Sequence, residues 1–143
     1  MSRRQQRELA VPRRTVIVVD DDPRVGRSLE SLLNSAGIDV RVFGSGGQVL
    51  GSGALAEAGC LTTDVRMPGM GGSELFRRTT AVYPLLPIIF VTAHQDEEAL
   101  RFALDEGAFA FLYKPFDGEE LLGTLEAAFN SNQPSNNPDI PGL

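Results

Sequence analysis

Five short apolar runs separated by stretches of helical periodicity constrain this chain of 143 residues more than any other feature. Thr15 to Val19 opens the series, a β-branched run that suits a strand buried on both faces. Ile38 to Phe43, Cys60 to Thr63, Pro87 to Val91 and Phe109 to Tyr113 read as four more strands. Between the first two, Asp22-Pro23 supplies a cap and a proline at the first helical position. Val25, Leu29, Leu32 and Leu33 then recur at helical spacing, and Gly37 ends the element. Glycine-rich Gly44–Gly53 opens a weaker helix predicted to reach about Ala58. A third helix runs from about Ser73 to Val82 and buries Leu75 and Phe76. Asp96 caps a fourth that carries Ala99, Leu100, Ala103 and Leu104 and closes at Gly107. Asp117 caps the last, with Leu121, Leu122, Leu125 and Phe129 inward. Alternation of this kind gives (βα)5: an α/β fold with an open, mostly parallel, doubly wound five-stranded sheet.

In such sheets the functional site lies outside the carboxyl ends of the strands, and those ends are not alike in this chain. Strand one ends in Asp20-Asp21-Asp22, strand three in Asp64, strand four in Thr92 and strand five in Lys114. Strand two ends in Phe43-Gly44 and offers nothing polar. In the flavodoxin-like order 2-1-3-4-5, strand two is an edge, so the four equipped strands are neighbours. Carboxylates, a hydroxyl and an ammonium therefore share one rim. Taken singly these residues have ordinary uses: Asp22 as a helix cap, Asp64 as a turn residue before Met67–Gly72, Thr92 as a strand-end hydroxyl. Together they ask for a cation and an anion. Crowded hard oxygens with open positions suit Mg²⁺ or Mn²⁺, and an aspartate can act as a nucleophile towards phosphorus. A transferred phosphoryl group needs positive and hydrogen-bonding partners, which Lys114 and Thr92 would provide, while small Ala93 leaves room. Lys114 is the sole lysine beside twelve arginines, so a compact, flexible ammonium is wanted at that point.

The motifs Val-Val-Asp20-Asp21-Asp22, Thr-Asp64-Val-Arg-Met67-Pro68-Gly-Met-Gly-Gly72, Val-Thr92-Ala93-His94 and Lys114-Pro115-Phe116, in this order, resemble the receiver domain of two-component response regulators. The wording around Asp64 and Lys114 looks most like the FixJ/NarL-type regulators. The resemblance implies that Asp64 is the phosphoacceptor, served by a sensor histidine kinase. It implies Mg²⁺ ligated by Asp21, Asp64 and the backbone carbonyl of Arg66, with Asp20 acting through water. Thr92 and Phe111 would be the switch pair and Lys114 the partner of the phosphoryl group, with a cis peptide expected at Lys114-Pro115. Phe111 reads equally well as core. Arg66 and His94 stand where receivers border the attacking water, so they are the candidates for tuning phosphoryl lifetime; His94 otherwise reads as an exposed loop residue. The rival is a Mg²⁺-dependent phosphohydrolase with an aspartyl-phosphate intermediate, but such enzymes place a second aspartate two residues on, where this chain has Arg66.

Charge and composition narrow the partners. Residues 1–14 hold five arginines against Glu8, a net of +4, so a formal total of −6 leaves −10 on the remainder. An acidic body argues against general nucleic-acid binding by the domain, and the basic leader reads as a solvated start. The expected organisation is a leader at 1–14, a receiver domain at 15–129 and a flexible tail or linker at 130–143. DNA would be reached only through an output domain that this sequence does not contain. A homodimer through the fourth helix and fifth strand is the expected self-contact. Cys60, the single cysteine, excludes an internal disulfide and suits a buried structural thiol. No apolar stretch approaches the ~18 residues of a membrane span, and no secretory h-region follows the first arginines, so a cytoplasmic location is expected.

Overall fold

Each apolar run forms a strand of a single parallel sheet. The computed structural model describes residues 14–93 and 95–131. In chain order these form β1 (Thr15–Val19), α1 (Pro23–Ser35), β2 (Asp39–Phe43), α2 (Gly46–Ser52), a 3-10 turn (Ala54–Glu57) and β3 (Cys60–Asp64). Then come α3 (Gly72–Val82), β4 (Ile88–Thr92), α4 (Glu97–Glu106), β5 (Ala110–Tyr113) and α5 (Gly118–Ser131). The sheet order is β2-β1-β3-β4-β5 with every pair parallel, the flavodoxin-like order expected. His94, residues 1–13 of the leader and the tail beyond Ser131 lie outside the described residues.

Successive side chains of a strand point to opposite faces, and both faces of this sheet are covered by helices. On one face Ile17, Val19, Leu61, Ile88 and Phe90 pack with Val49 of α2, Leu75 and Phe76 of α3, and Ala99 and Ala103 of α4. On the other, Val16, Val18, Cys60, Ile89 and Val91 pack with Leu29 and Leu33 of α1 and Leu121, Leu125 and Phe129 of α5. Cys60 is wholly buried, and burial pushes its thiol up to about 12, so it is inert core. Arg14 clamps the start of β1 to α5, donating to both carboxylate oxygens of Glu126 at 2.9 and 2.7 Å while lying over the Phe129 ring.

Three helices start on the caps expected of them. Asp22 accepts from the Arg24 N–H at 2.9 Å, Asp96 from Ala99 at 3.0 Å and Asp117 from Glu119 at 2.9 Å. Two details differ from the sequence reading. The second helix stops at Ser52, because Gly53 turns left-handed (φ 76°) and restarts the chain as the 3-10 turn. Leu104 points outward and is 73% exposed, since α4 lies on the sheet through Ala99 and Ala103, with Phe102 packed beside them against Phe76 and Phe90. One residue past Ala103 is about 100° further round the helix, which carries Leu104 off the buried face. Among the described residues no helix is long and apolar enough to cross a membrane.

Candidate functional site

The four equipped strand ends do meet. Asp20 leaves β1 with its backbone N–H donating to the Phe43 carbonyl at 3.1 Å, and its side chain is only 5% exposed. Both of its carboxylate oxygens are engaged: Oδ1 accepts from the Asp22 N–H at 2.9 Å and Oδ2 from Lys114 Nζ at 2.7 Å. Asp64, half-buried at the end of β3, accepts from the Val65 N–H through Oδ1 at 2.7 Å. Its Oδ2 faces Lys114 Nζ at 3.5 Å. The lysine thus sits between the two carboxylates, nearer Asp20. Its backbone N–H donates to the Thr92 carbonyl at 2.7 Å, which ties the end of β5 to the end of β4, and the Lys114-Pro115 peptide is cis as expected.

Asp20, Asp21 and Asp64 can bring one oxygen each within 4.8 Å of one another. The donor set is hard, acidic and graded in exposure, from buried Asp20 to exposed Asp21. That donor set fits a divalent cation at the cluster of Asp20, Asp21 and Asp64. Electrostatics agree. Burial raises the Asp64 carboxyl above the usual range, Lys114 opposes this, and the charge of Asp20 adds to it. For Lys114, burial pulls the ammonium down, but the Asp20 hydrogen bond and the charges of Asp64 and Asp20 outweigh it and leave the pKa raised. An ammonium held this firmly is charged at neutral pH and available to a newly arrived anion.

Of the remaining candidates, Thr92 is buried at the end of β4, paired in register with Tyr113, and Ala93 beside it is exposed. Phe111 is half-buried, with its ring 6.2 Å from Phe90 and 5.3 Å edge-on from Tyr113. It therefore bridges core and surface. Arg66 does not turn towards Asp64. Its Nε and Nη2 donate to Asp96 Oδ2 at 2.7 and 2.6 Å, across to the cap of α4. Nothing in the spacing of these residues foretells that pairing, which joins loops thirty residues apart.

A second contact unforeseen in the sequence involves Gly72, which reads there only as the end of a loop of helix breakers. A Cβ on Gly72 would be driven into the Asp64 carbonyl oxygen and would lie 3.1 Å from Val65 Cα. Both obstacles are backbone, and the Gly72 N–H holds the Val65 carbonyl at 2.9 Å. Gly72→Ala is expected to destabilise the fold by about 2 kcal/mol and to displace Asp64, measured by urea unfolding and by cation titration of the folded variant. Wild-type stability and affinity in that variant would show that the loop yields freely.

Known proteins place this arrangement. The description "Response regulator receiver domain" matches residues 16–126, most of the chain. The DNA-binding transcriptional regulator NtrC of Salmonella typhimurium is 39% identical over 123 residues, covering 86% of this chain and 26% of that protein. The response regulator protein TodT of Pseudomonas putida is 38% identical over 130 residues, covering 90% and 57%. The crystal structure of full-length FixJ from B. japonicum superposes with a TM-score of 0.77 at 36% identity, over 87% of this chain and 61% of that one. The chain thus spans about a quarter of NtrC and somewhat over half of TodT. Matched in sequence along nearly all its folded part, in strand order and in overall shape, the chain belongs to the response regulator receiver domains of two-component systems, a family of signalling modules rather than dedicated enzymes.

Proposed function

We propose that this chain is a phosphoacceptor switch in which Asp64 takes a phosphoryl group from a phosphohistidine of a sensor histidine kinase. The observation that carries the reading is Lys114 Nζ seated between Asp20 at 2.7 Å and Asp64 at 3.5 Å, one strand from the buried hydroxyl of Thr92. A carboxylate oxygen of Asp64 attacks phosphorus, the N–P bond breaks, and the imidazole leaves with the electron pair. The phosphoryl group carries up to about two negative charges and replaces the single charge of the carboxylate, a net gain of about one on the rim. Lys114 can then exchange a carboxylate contact for a phosphoryl oxygen, and Thr92 can donate its hydroxyl. A Mg²⁺ or Mn²⁺ held by Asp21, Asp64 and the Arg66 carbonyl, with Asp20 acting through water, supplies the remaining countercharge when bound.

Movement of Thr92 and Phe111 would rearrange β4, α4 and β5. The output surface is the face of α4 and β5, where Leu104, Phe109 and Tyr113 are exposed, at 73, 38 and 37%. These support a homodimer through that face, or contact with a DNA-binding output domain of the kind that NtrC's name implies. Water attack at phosphorus then resets the switch: the bond from phosphorus to the Asp64 oxygen breaks, the carboxylate returns and inorganic phosphate is released. A phosphohydrolase is not favoured, because the residue two after Asp64 is an arginine tied to Asp96 and not a second acid.

The test is incubation with Mg²⁺ and acetyl phosphate or beryllium fluoride. Stoichiometric labelling that is stable in acid, labile in base and dependent on Asp64 is expected, together with a change in oligomeric state. Steady turnover of small phosphoesters would favour the hydrolase. Arg66 and His94 are proposed to set phosphoryl lifetime, so an Arg66→Ala, His94→Ala double variant should change the half-life several-fold. An unchanged half-life would reject that role.

A further inference from the structure

We propose that Asp96 is a positioning residue for Arg66, holding its guanidinium on the α4 cap until a phosphoryl group on Asp64 draws it away. The inference rests on Asp64 being the phosphoacceptor. Three observations carry it. The two oxygens of Asp96 have separate tasks, Oδ1 accepting from the Ala99 N–H at 3.0 Å and Oδ2 accepting from Arg66 at 2.7 and 2.6 Å. One carboxylate thus starts α4 and restrains the loop after β3. Next, Arg66 departs from the chain beside the acceptor, since the intervening Val65 N–H donates to Asp64 Oδ1 at 2.7 Å. Its side chain is 66% exposed, so the arginine is anchored by charge and little packing resists a swing. Finally, in the groove of about 440 Å³ between α3 and α4, Arg77 stacks over Phe102 at 4.9 Å and Glu74 pairs with Arg78 at 2.7 Å, while Glu98 also lines the wall. Of the acids near this groove, Asp96 is the one to which Arg66 donates, which holds it away from the rim.

The resting pair is a surface ion pair, and such pairs are weak. An aspartyl phosphate offers a guanidinium up to about two charges and several acceptor oxygens, against one charge already shared with a helix cap. Exchange of partner therefore favours the phosphoryl group. It would protect the phosphorylated state while removing the tether that joins the β3–α3 loop to the first turn of α4. Phosphorylation would then loosen α4 by a route separate from that through Thr92.

The test is titration of the full chain with beryllium fluoride in saturating Mg²⁺, alongside amide exchange at Ala99 and Leu100. Asp96→Asn keeps a capping oxygen but loses the charge, so folding is retained. It should tighten binding about threefold, in keeping with the small free energy of a surface pair. Arg66→Ala should weaken binding, and Asp96→Asn should have no further effect in that background. Arg66→Lys should restore part of the loss. In wild type, beryllium fluoride should speed exchange at the start of α4; in Asp96→Asn it should do so less. Unchanged affinity in Asp96→Asn, or an equal gain with Arg66 absent, would overturn the proposal. Failure of wild type to bind beryllium fluoride through Asp64 would instead overturn the phosphoacceptor reading beneath it.

Discussion

Asp64→Asn should lose phosphoryl labelling to background and, in the absence of metal, unfold at a higher temperature than wild type. The two effects have one cause. Asp64 is half-buried beside buried Asp20, and its carboxyl is raised above the usual range chiefly by burial, with Lys114 opposing and Asp20 adding. A carboxyl whose folded pKa exceeds its unfolded value favours the fold while protonated. That contribution is complete below the unfolded value near 4 and is lost as pH rises through the folded value. At neutral pH the ionised group is therefore a net penalty, and the neutral amide should relieve about 1 kcal/mol of it. Asparagine can still accept from the Val65 N–H through its carbonyl oxygen, but it cannot form an acyl phosphate. Mg²⁺ should stabilise wild type more than the variant, since one of three clustered carboxylates is gone. Thermal melts with and without Mg²⁺ at pH 7, with labelling by acetyl phosphate, test both halves. Retained labelling would exclude Asp64 as acceptor; lower stability would mean that Lys114 and Val65 already compensate its charge.

The rim was legible in the sequence because a parallel α/β sheet converts chain order into place. Once β1, β3, β4 and β5 were located, Asp20, Asp64, Thr92 and Lys114 had to be neighbours, and the ion pairs of Lys114 with Asp20 and Asp64 agree with that. Elements with strong local signals were placed well: Asp96 caps α4, and Gly107 closes it with φ 85°. Features decided by tertiary contact were not legible. Whether Leu104 faced the sheet depended on the rotation of α4, which apolar residues at 99, 100, 103 and 104 leave open and the sheet decides. Arg66–Asp96 joins two loops whose spacing carries no periodicity. Gly72 is a glycine for a reason that only the approach of the Asp64 backbone reveals. Local chemistry named the candidates, and packing set which ones touch.

Lys114 separates two functions that a single cation can serve, compensation of buried charge and sensing of the phosphoryl group. Removing the ammonium with Lys114→Ala leaves Asp20, 5% exposed, without its cation at 2.7 Å. The expected loss is about 3 kcal/mol, as for a buried pair broken from one side. Its sign follows from the raised pKa of Lys114, whose contribution is complete below the unfolded value near 10 and is lost only above it. The deficit should therefore be present at pH 7, and saturating Mg²⁺ should recover more stability in this variant than in wild type by replacing the missing charge. Lys114→Arg keeps the charge but brings a planar fork to a place where a point charge is 2.7 Å from one carboxylate and 3.5 Å from the other. Its stability should fall by less than about 1 kcal/mol, since the pair with Asp20 can be rebuilt. Labelling of Asp64 should persist, yet the change in oligomeric state on phosphorylation should weaken about tenfold, the scale of a typical coupling energy. Chemical melts, labelling stoichiometry and light scattering on the same samples distinguish the two roles. Full coupling in Lys114→Arg would mean that any cation suffices and that the single lysine among twelve arginines has no bearing on the switch.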